Sequence, residues 1–324
     1  MVANDFYNIF SVRCIMKTLR PSVTVIIPTY NCSLYIDKCI KSVLNQTLTN
    51  IEIIVVDDCS SDDTVGLIPA NDKIKIIKNA ERLGSGLSRN SGIKYSSGEY
   101  IAFLDGDDFY PEVDSLKKLY NIAKCNNANI VGGSLFIVDE KSKVEIRDFP
   151  GQYFTRPGFV NYSDYQHDGG FYRFIFRKDF LMLNNIAFRD LLRMQDSVFL
   201  VESMVASKSF YAIPDYVYAY RKNHKIVGWN ERNVKDKLTA IGLILKISRE
   251  NKLAHLHFLM VKNFYNFFRI HLKEVGGFKN QIQELLKLLK MIDFDLLRSK
   301  WNDDKFEYNR LRFVVSFWRS FIFN

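Results

Sequence analysis

The chain has 324 residues, enough for one large domain or two smaller ones. It is 47% hydrophobic, with 26 Phe and 17 Tyr, which excludes a disordered chain and provides for a sizeable core. The formal charge of +9 is unevenly placed: from Arg221 onward there are 21 Lys/Arg against 10 Asp/Glu, so the front of the chain is close to neutral and the tail is basic. A basic tail points to an anionic partner or to a solvated helical surface.

No apolar run is long enough for a membrane-spanning helix, and Met1–Arg20 lacks the apolar core of a secretory signal. The five cysteines form no CxxC pair, which suggests reduced thiols in a cytoplasmic protein and no zinc site. Residues 1–20 read as an extension before the patterned chain begins at Pro21.

Val23–Ile27 is a β-branched run, hence a buried strand, and it stops at the turn Pro28-Thr-Tyr-Asn31. Ile36, Ile40, Val43 and Leu44 then fall at helical spacing. Ile51–Val56 is the second strand. It ends in Asp57-Asp58, followed by Ser60, Ser61 and Asp62 as candidate caps of a helix. Lys73–Lys78 is a third strand, and Gly84-Ser-Gly-Leu-Ser-Arg89 opens another helix. That Gly-rich start departs from a dinucleotide fingerprint at Arg89 and follows the third strand, so a Rossmann dehydrogenase is rejected. Gly-rich backbone at a helix start still suits phosphate, and Arg89 adds a fork of donors.

Tyr100–Leu104 is an apolar strand that runs straight into Asp105, Asp107 and Asp108. Three carboxylates in so short a stretch repel one another unless a cation sits there. Mg²⁺ or Mn²⁺ commonly bridges such carboxylates to a phosphate, and open α/β sheets bind ligands at strand carboxyl ends. Asp105-x-Asp107 is therefore a candidate metal–diphosphate site; a plain Asp-Gly turn is the alternative. A helix from Pro111 to Cys125, with Pro111 near N1, and a fifth strand from Ala128 complete an α/β pattern with a mostly parallel sheet.

The four motifs Val25-Ile-Ile-Pro-Thr-Tyr-Asn31, Ile54-Val-Val-Asp-Asp-Cys-Ser-Ser-Asp-Asp-Thr64, Gly86-Leu-Ser-Arg-Asn-Ser-Gly-Ile93 and Phe103-Leu-Asp-Gly-Asp-Asp108 together resemble the family 2 inverting glycosyltransferases. The resemblance implies a GT-A fold with a helical C-terminal region, densest over residues 22–135. It implies a nucleoside pocket lined by Pro28, Thr29 and Tyr30, with Asp58 reading the uracil edge. Arg89 would lie near the diphosphate or sugar, Asp105 and Gly106 at ribose or sugar, and Asp107 on a Mn²⁺ or Mg²⁺ ion. Cys59 stands where the family commonly has Gly and reads as a small buried residue. Ser88 stands where Ala is usual.

In the second half, Val131–Phe149 reads as a strand pair turning at Asp139–Lys143, and Gly151–Gly170 as an irregular loop that borders the acceptor. Phe171–Phe180 resembles the family's strand and short helix ahead of the catalytic segment. Asp196 then matches the family's base, with Gln195 where a Glu is typical. Beside a neutral amide, Asp196 should titrate lower than beside a second carboxylate. Asp196 is equally a candidate N-cap for a helix from Ser197. Tyr218–His224 looks like the family's closing strand and mobile loop, from which His224 could reach the metal or a phosphate.

From about Asn233 the periodicity is helical, for three to five helices. Leu311, Val314, Val315, Trp318 and Ile322 share one face of a basic amphipathic segment, which suits a membrane interface or an internal or dimer helix. The expected division is 1–20 extension, 21–133 nucleotide-sugar half, 134–225 acceptor half and 226–324 basic helical region.

The expected activity is transfer of a hexose or N-acetylhexosamine from a UDP-sugar to a glycan or lipid-linked acceptor in bacterial surface polysaccharide synthesis. The expected location is cytoplasmic, with peripheral contact at the inner face of the membrane. Rival readings are an inactive nucleotide-sugar-binding scaffold and a nucleotidyltransferase. Nucleic-acid binding is not expected, since only the tail offers charge.

Overall fold

The computed structural model describes residues 20–147, 151–223, 228–271 and 282–299. Residues 1–19 of the extension, His224 and the amphipathic segment at residues 311–322 lie outside them.

The first half alternates strand and helix: β1 (Val23–Thr29), α1 (Ile36–Leu44), β2 (Ile51–Asp57), β3 (Ile74–Lys78), α2 (Ser85–Tyr95), β4 (Tyr100–Phe103) and α3 (Ser115–Cys125). Next come β5 (Ile130–Asp139), β6 (Val144–Ile146), β7 (Gly158–Asn161), the short helix α4 (Tyr162–Tyr165), a 3-10 turn (Phe171–Arg173), β8 (Phe174–Arg177) and α5 (Lys178–Leu183). The chain goes on through α6 (Gln195–Ser207), the long strand β9 (Ser209–Lys222), α7 (Glu231–Glu250), α8 (Ala254–His271), α9 (Ile282–Met291) and α10 (Phe294–Ser299).

All described strands join one sheet, ordered β3-β2-β1-β4-β8-β5-β9-β7, with β6 as a side branch on β5. β1, β2, β3 and β4 pair in parallel, as does β5 with β9; β8 runs antiparallel between β4 and β5. Every residue of β1, β2 and β4 is buried, which is why these strands read as unbroken apolar runs. One face packs Val25, Ile27 and Val55 against Ile36, Ile40, Val43, Leu116 and Leu119 of α1 and α3. The other packs Ile26, Ile101 and Phe103 against α2 and α6, in a core that continues into Val234, Ile241, Leu256 and Leu288 of the C-terminal helices. None of the described helices is long and apolar enough to cross a membrane.

Four local expectations are corrected. The stretch after Asp58 forms turns, not a helix, because the Asp62 carboxylate accepts from the Ser33 and Thr64 backbone N–H groups and competes with helical pairing. α3 starts at Ser115, leaving Pro111 in the preceding bend. The segment 151–170 is not irregular throughout: β7 pairs antiparallel with β9, and α4 follows it. Cys59 is exposed, and its φ of 64° is the left-handed conformation that favours glycine, which accounts for the glycine usual at this place.

Candidate active site

β1, β2 and β4 end side by side, so the parallel sheet brings three loops together at its carboxyl edge. Thr29 pairs across to Asp57, and the chain turns out at Tyr30, which is 37% exposed. The guanidinium of Arg82 lies 3.8 Å over the Tyr30 ring. Pro28 and Thr29 also meet the acidic loop at Gly106. A Cβ on Gly106 would come 3.0 Å from the Thr29 methyl and 3.4 Å from the Pro28 carbonyl, so any larger residue would have to push these loops apart by a few tenths of an ångström.

Asp58 is buried and well engaged. Its Oδ1 accepts from Asn79 Nδ2 (2.9 Å) and Leu83 N (2.8 Å), and its Oδ2 from Gly84 N (2.8 Å). The carboxylate thereby holds the glycine turn that starts α2. Gly84 itself has a φ of 88°.

Asp105, Asp107 and Asp108 each place an oxygen within 4.8 Å of the others. Their surroundings differ. Asp108 is fully buried, accepting from the Tyr218 hydroxyl (2.7 Å) and the Arg221 backbone N–H (2.6 Å). Burial and the neighbouring carboxylates push its pKa well above the usual range. Arg221 also donates from Nε to the Asp107 carbonyl (2.6 Å) and pairs with Glu140. β9 is thus stitched to the acidic loop, and sequence reading missed this role for Asp108, Tyr218 and Arg221.

Arg89 projects from α2 onto this cluster. Its Nη2 donates to Asp105 Oδ1 at 2.6 Å, while Nε and Nη1 are buried without a hydrogen-bond partner. The guanidinium stands over Phe171 (4.8 Å) and Phe188 (5.3 Å). Burial works against its charge, but the Asp105 carboxylate more than offsets this and raises its hold on the proton.

Asp196 lies in the first turn of α6. The helix begins at Gln195, with Met194 in a left-handed conformation (φ 58°) at the cap, so the N-cap role expected of Asp196 is not filled. Burial raises the Asp196 pKa above the usual carboxylate value, and the charge of Arg89 opposes the rise. Desolvation is the largest cause of that rise. Gln195 donates from Nε2 to Ser85 Oγ (2.9 Å), joining α6 to α2. Asp168 lies within electrostatic range of Asp196 and accepts from Ser197, and burial raises its pKa too. Its only signal in the sequence was its place in the 151–170 loop.

Three carboxylates at strand ends beneath a helix start rich in glycine, on a mixed sheet of this order, are features of a GT-A nucleotide-sugar transferase fold. The family "Glycosyl transferase family 2" matches residues 24–181 of the chain, which supports a family 2 glycosyltransferase.

The chain is 33% identical over 207 residues to the poly(ribitol-phosphate) beta-N-acetylglucosaminyltransferase TarP of Staphylococcus aureus, covering 60% of this chain and 61% of that protein. It is 29% identical over 214 residues to the uncharacterized glycosyltransferase EpsJ of Bacillus subtilis, covering 63% and 62%. The chain therefore spans about six tenths of the length of these relatives. Among solved structures, S. aureus TarS residues 1–349 superpose with a TM-score of 0.69 at 19% identity, over 85% of this chain and 82% of that one. That likeness establishes the shared fold.

Proposed function

We propose that the protein is a metal-dependent, inverting glycosyltransferase that moves a hexose or N-acetylhexosamine from a UDP-sugar to a glycan or lipid-linked glycan acceptor of bacterial surface polysaccharide. The observation that carries this reading is Arg89: a buried guanidinium fixed on Asp105, with two nitrogens lacking partners and Asp196 within range of its charge. Buried donors left unpaired cost free energy, and a diphosphate at the sheet edge would satisfy them. The named relatives fit the same reading. TarS has been crystallised with UDP-GlcNAc, and WfgD of Escherichia coli, 36% identical over 124 residues, is a UDP-Glc:α-D-GlcNAc-diphosphoundecaprenol β-1,3-glucosyltransferase.

An all-oxygen donor set suits Mg²⁺ or Mn²⁺. With Asp108 committed to Tyr218 and Arg221, the residues to hold the ion are Asp107 and Asp105. When bound, it would offset the charge of the diphosphate leaving group. Pro28, Thr29 and Tyr30 form the nucleoside wall, and Gly106 lets the acidic loop close on it. Asp58 accepts one hydrogen bond on Oδ2, and the second lone pair of that oxygen is where the uracil imide N–H would dock. Arg89 holds Asp105 and offers Nε and Nη1 to phosphate oxygens. Asp196 takes the proton of the attacking acceptor hydroxyl, its basicity raised by burial. Residues 21–133 are assigned to the donor, 134–225 to the acceptor and 226–324 to a basic helical region.

Thermal unfolding with UDP, with and without Mn²⁺, tests this reading on the native chain and on Asp107→Ala. At a hundred times its dissociation constant, UDP should add about 2.7 kcal/mol of stability. The stabilisation should need Mn²⁺ and vanish in the variant; the same shift in both proteins would remove the donor site from this place.

A further inference from the structure

The segment ahead of α6 is clamped to the start of α7. Leu192 N–H donates to Asp236 Oδ2 (2.9 Å), and Arg193 Nη2 and Asn233 Nδ2 both donate to the Gly228 carbonyl (3.0 and 3.2 Å). The clamp gathers two cations around one ring. The Arg193 guanidinium lies 5.0 Å from the centre of Trp229, and Lys237 Nζ lies 5.5 Å from it and 4.6 Å from the centre of Phe267.

Arg193 Nε is buried without a hydrogen-bond partner, and neither cation has a carboxylate within ion-pair distance among the described residues. Burial lowers the proton affinity of both, and the charge of Arg193 lowers that of Lys237 further. Two like charges held partly out of water without an anion are costly, and an incoming anion would recover that cost.

The place is informative as well. Arg193 stands three residues ahead of Asp196 in the chain, and Lys237 feels the charge of Asp168, which in turn lies within range of Asp196. The cations therefore lie on the side where an acceptor would approach. Asp168 does not fill the role of their anion: burial holds it toward its neutral form, and it already accepts from Ser197.

We propose that Arg193 and Lys237, set about the Trp229 ring, bind a phosphate group carried by the acceptor. This rests on the glycosyltransferase reading and adds the acceptor's chemical class. A planar fork together with a compact ammonium suits the two charges of a phosphate better than the single charge of a carboxylate.

The test uses the full chain saturated with UDP and Mn²⁺, so that the donor site takes up no free phosphate. Binding of N-acetylglucosamine 1-phosphate, of its methyl glycoside and of glucuronate is measured by calorimetry for the native chain and for Arg193→Gln/Lys237→Met. The native chain should prefer the phosphate, and the double variant should bind it about tenfold more weakly or worse, with unchanged affinity for UDP and an unchanged melting profile without ligand.

A parallel arm offers phosphatidate in phosphatidylcholine vesicles. Loss of vesicle binding in the double variant would assign the phosphate to a lipid surface; loss confined to the sugar phosphate would assign it to a soluble glycan. Equal binding of both phosphate probes by native chain and variant, or glucuronate bound as tightly as phosphate, overturns the proposal. Failure of UDP to bind would count against the donor reading alone, since the phosphate arm can be read without it.

Discussion

Arg89→Met separates the two things that Arg89 does. Methionine keeps the apolar stem of the side chain but removes the guanidinium, with its charge, its place over Phe171 and Phe188 and its bond to Asp105. Removing one partner of a buried ion pair costs about 3–5 kcal/mol when the other stays buried. Asp105 is 27% exposed, so water takes up part of that loss and about 2 kcal/mol is the reasoned figure. For a chain this large, that lowers the melting temperature by about 3 °C.

UDP affinity should fall as well, by about tenfold or more, because two phosphate donors go with the guanidinium. The third consequence concerns pH. The Arg89 charge holds the Asp196 pKa down against the effect of burial. Without it that pKa rises further, so the acid limb of the rate profile must move to higher pH. Calorimetric melting, UDP titration and a pH–rate series read the three effects separately. A variant that keeps its native melting temperature, UDP affinity and acid limb would refute the reasoning.

Asp196→Asn should leave UDP binding intact while transfer falls by two or more orders of magnitude, the usual worth of a general base; equal turnover would place the base elsewhere. His257 is fully buried, held between Ser248 Oγ (2.8 Å) and the Asp293 backbone N–H (2.9 Å), with its pKa lowered to about 4 by burial. The unfolded chain takes up this proton near 6.5, so stability is full above that pH and falls as pH drops toward 4, by about 3 kcal/mol in all. Urea unfolding at a series of pH values should lose that slope in His257→Gln. Gly132→Ala should destabilise by about 1–3 kcal/mol, since its Cβ would sit 2.1 Å from a Phe174 ring carbon; urea melts would show it.

Much of the first half is legible because β1, β2 and β4 are buried on both faces, and burial leaves a plain mark in composition. Asp105 and Asp107 stand out for a related reason: charges at the end of such a strand call for a partner. What stayed hidden was set by distant pairing. Tyr218 meets Asp108 across 110 residues, and Ser85 meets Gln195 across the same span, so no local pattern announces either bond. β7 escaped because its four residues are too few to show alternation, and it exists only as the edge partner of β9. Burial raises the pKa of Asp196, and that is a property of the folded site which its neighbour in sequence does not reveal. Arg193 and Lys237 lie far apart in the chain, and only the clamp between Leu192 and Asp236 brings them to one ring.

The unpartnered nitrogens of Arg89 also bear on how long the protein lasts in a cell. A desolvated cation with idle donors makes the empty chain less stable than its packing would allow. If donor binding removes that penalty, the occupied form unfolds less often and offers proteases fewer openings. Cells short of nucleotide sugar would then clear this protein faster than cells well supplied with it. Its abundance would follow the supply of its own donor with no dedicated regulator, a coupling that pulse-chase measurement in donor-limited and donor-replete cells would make visible.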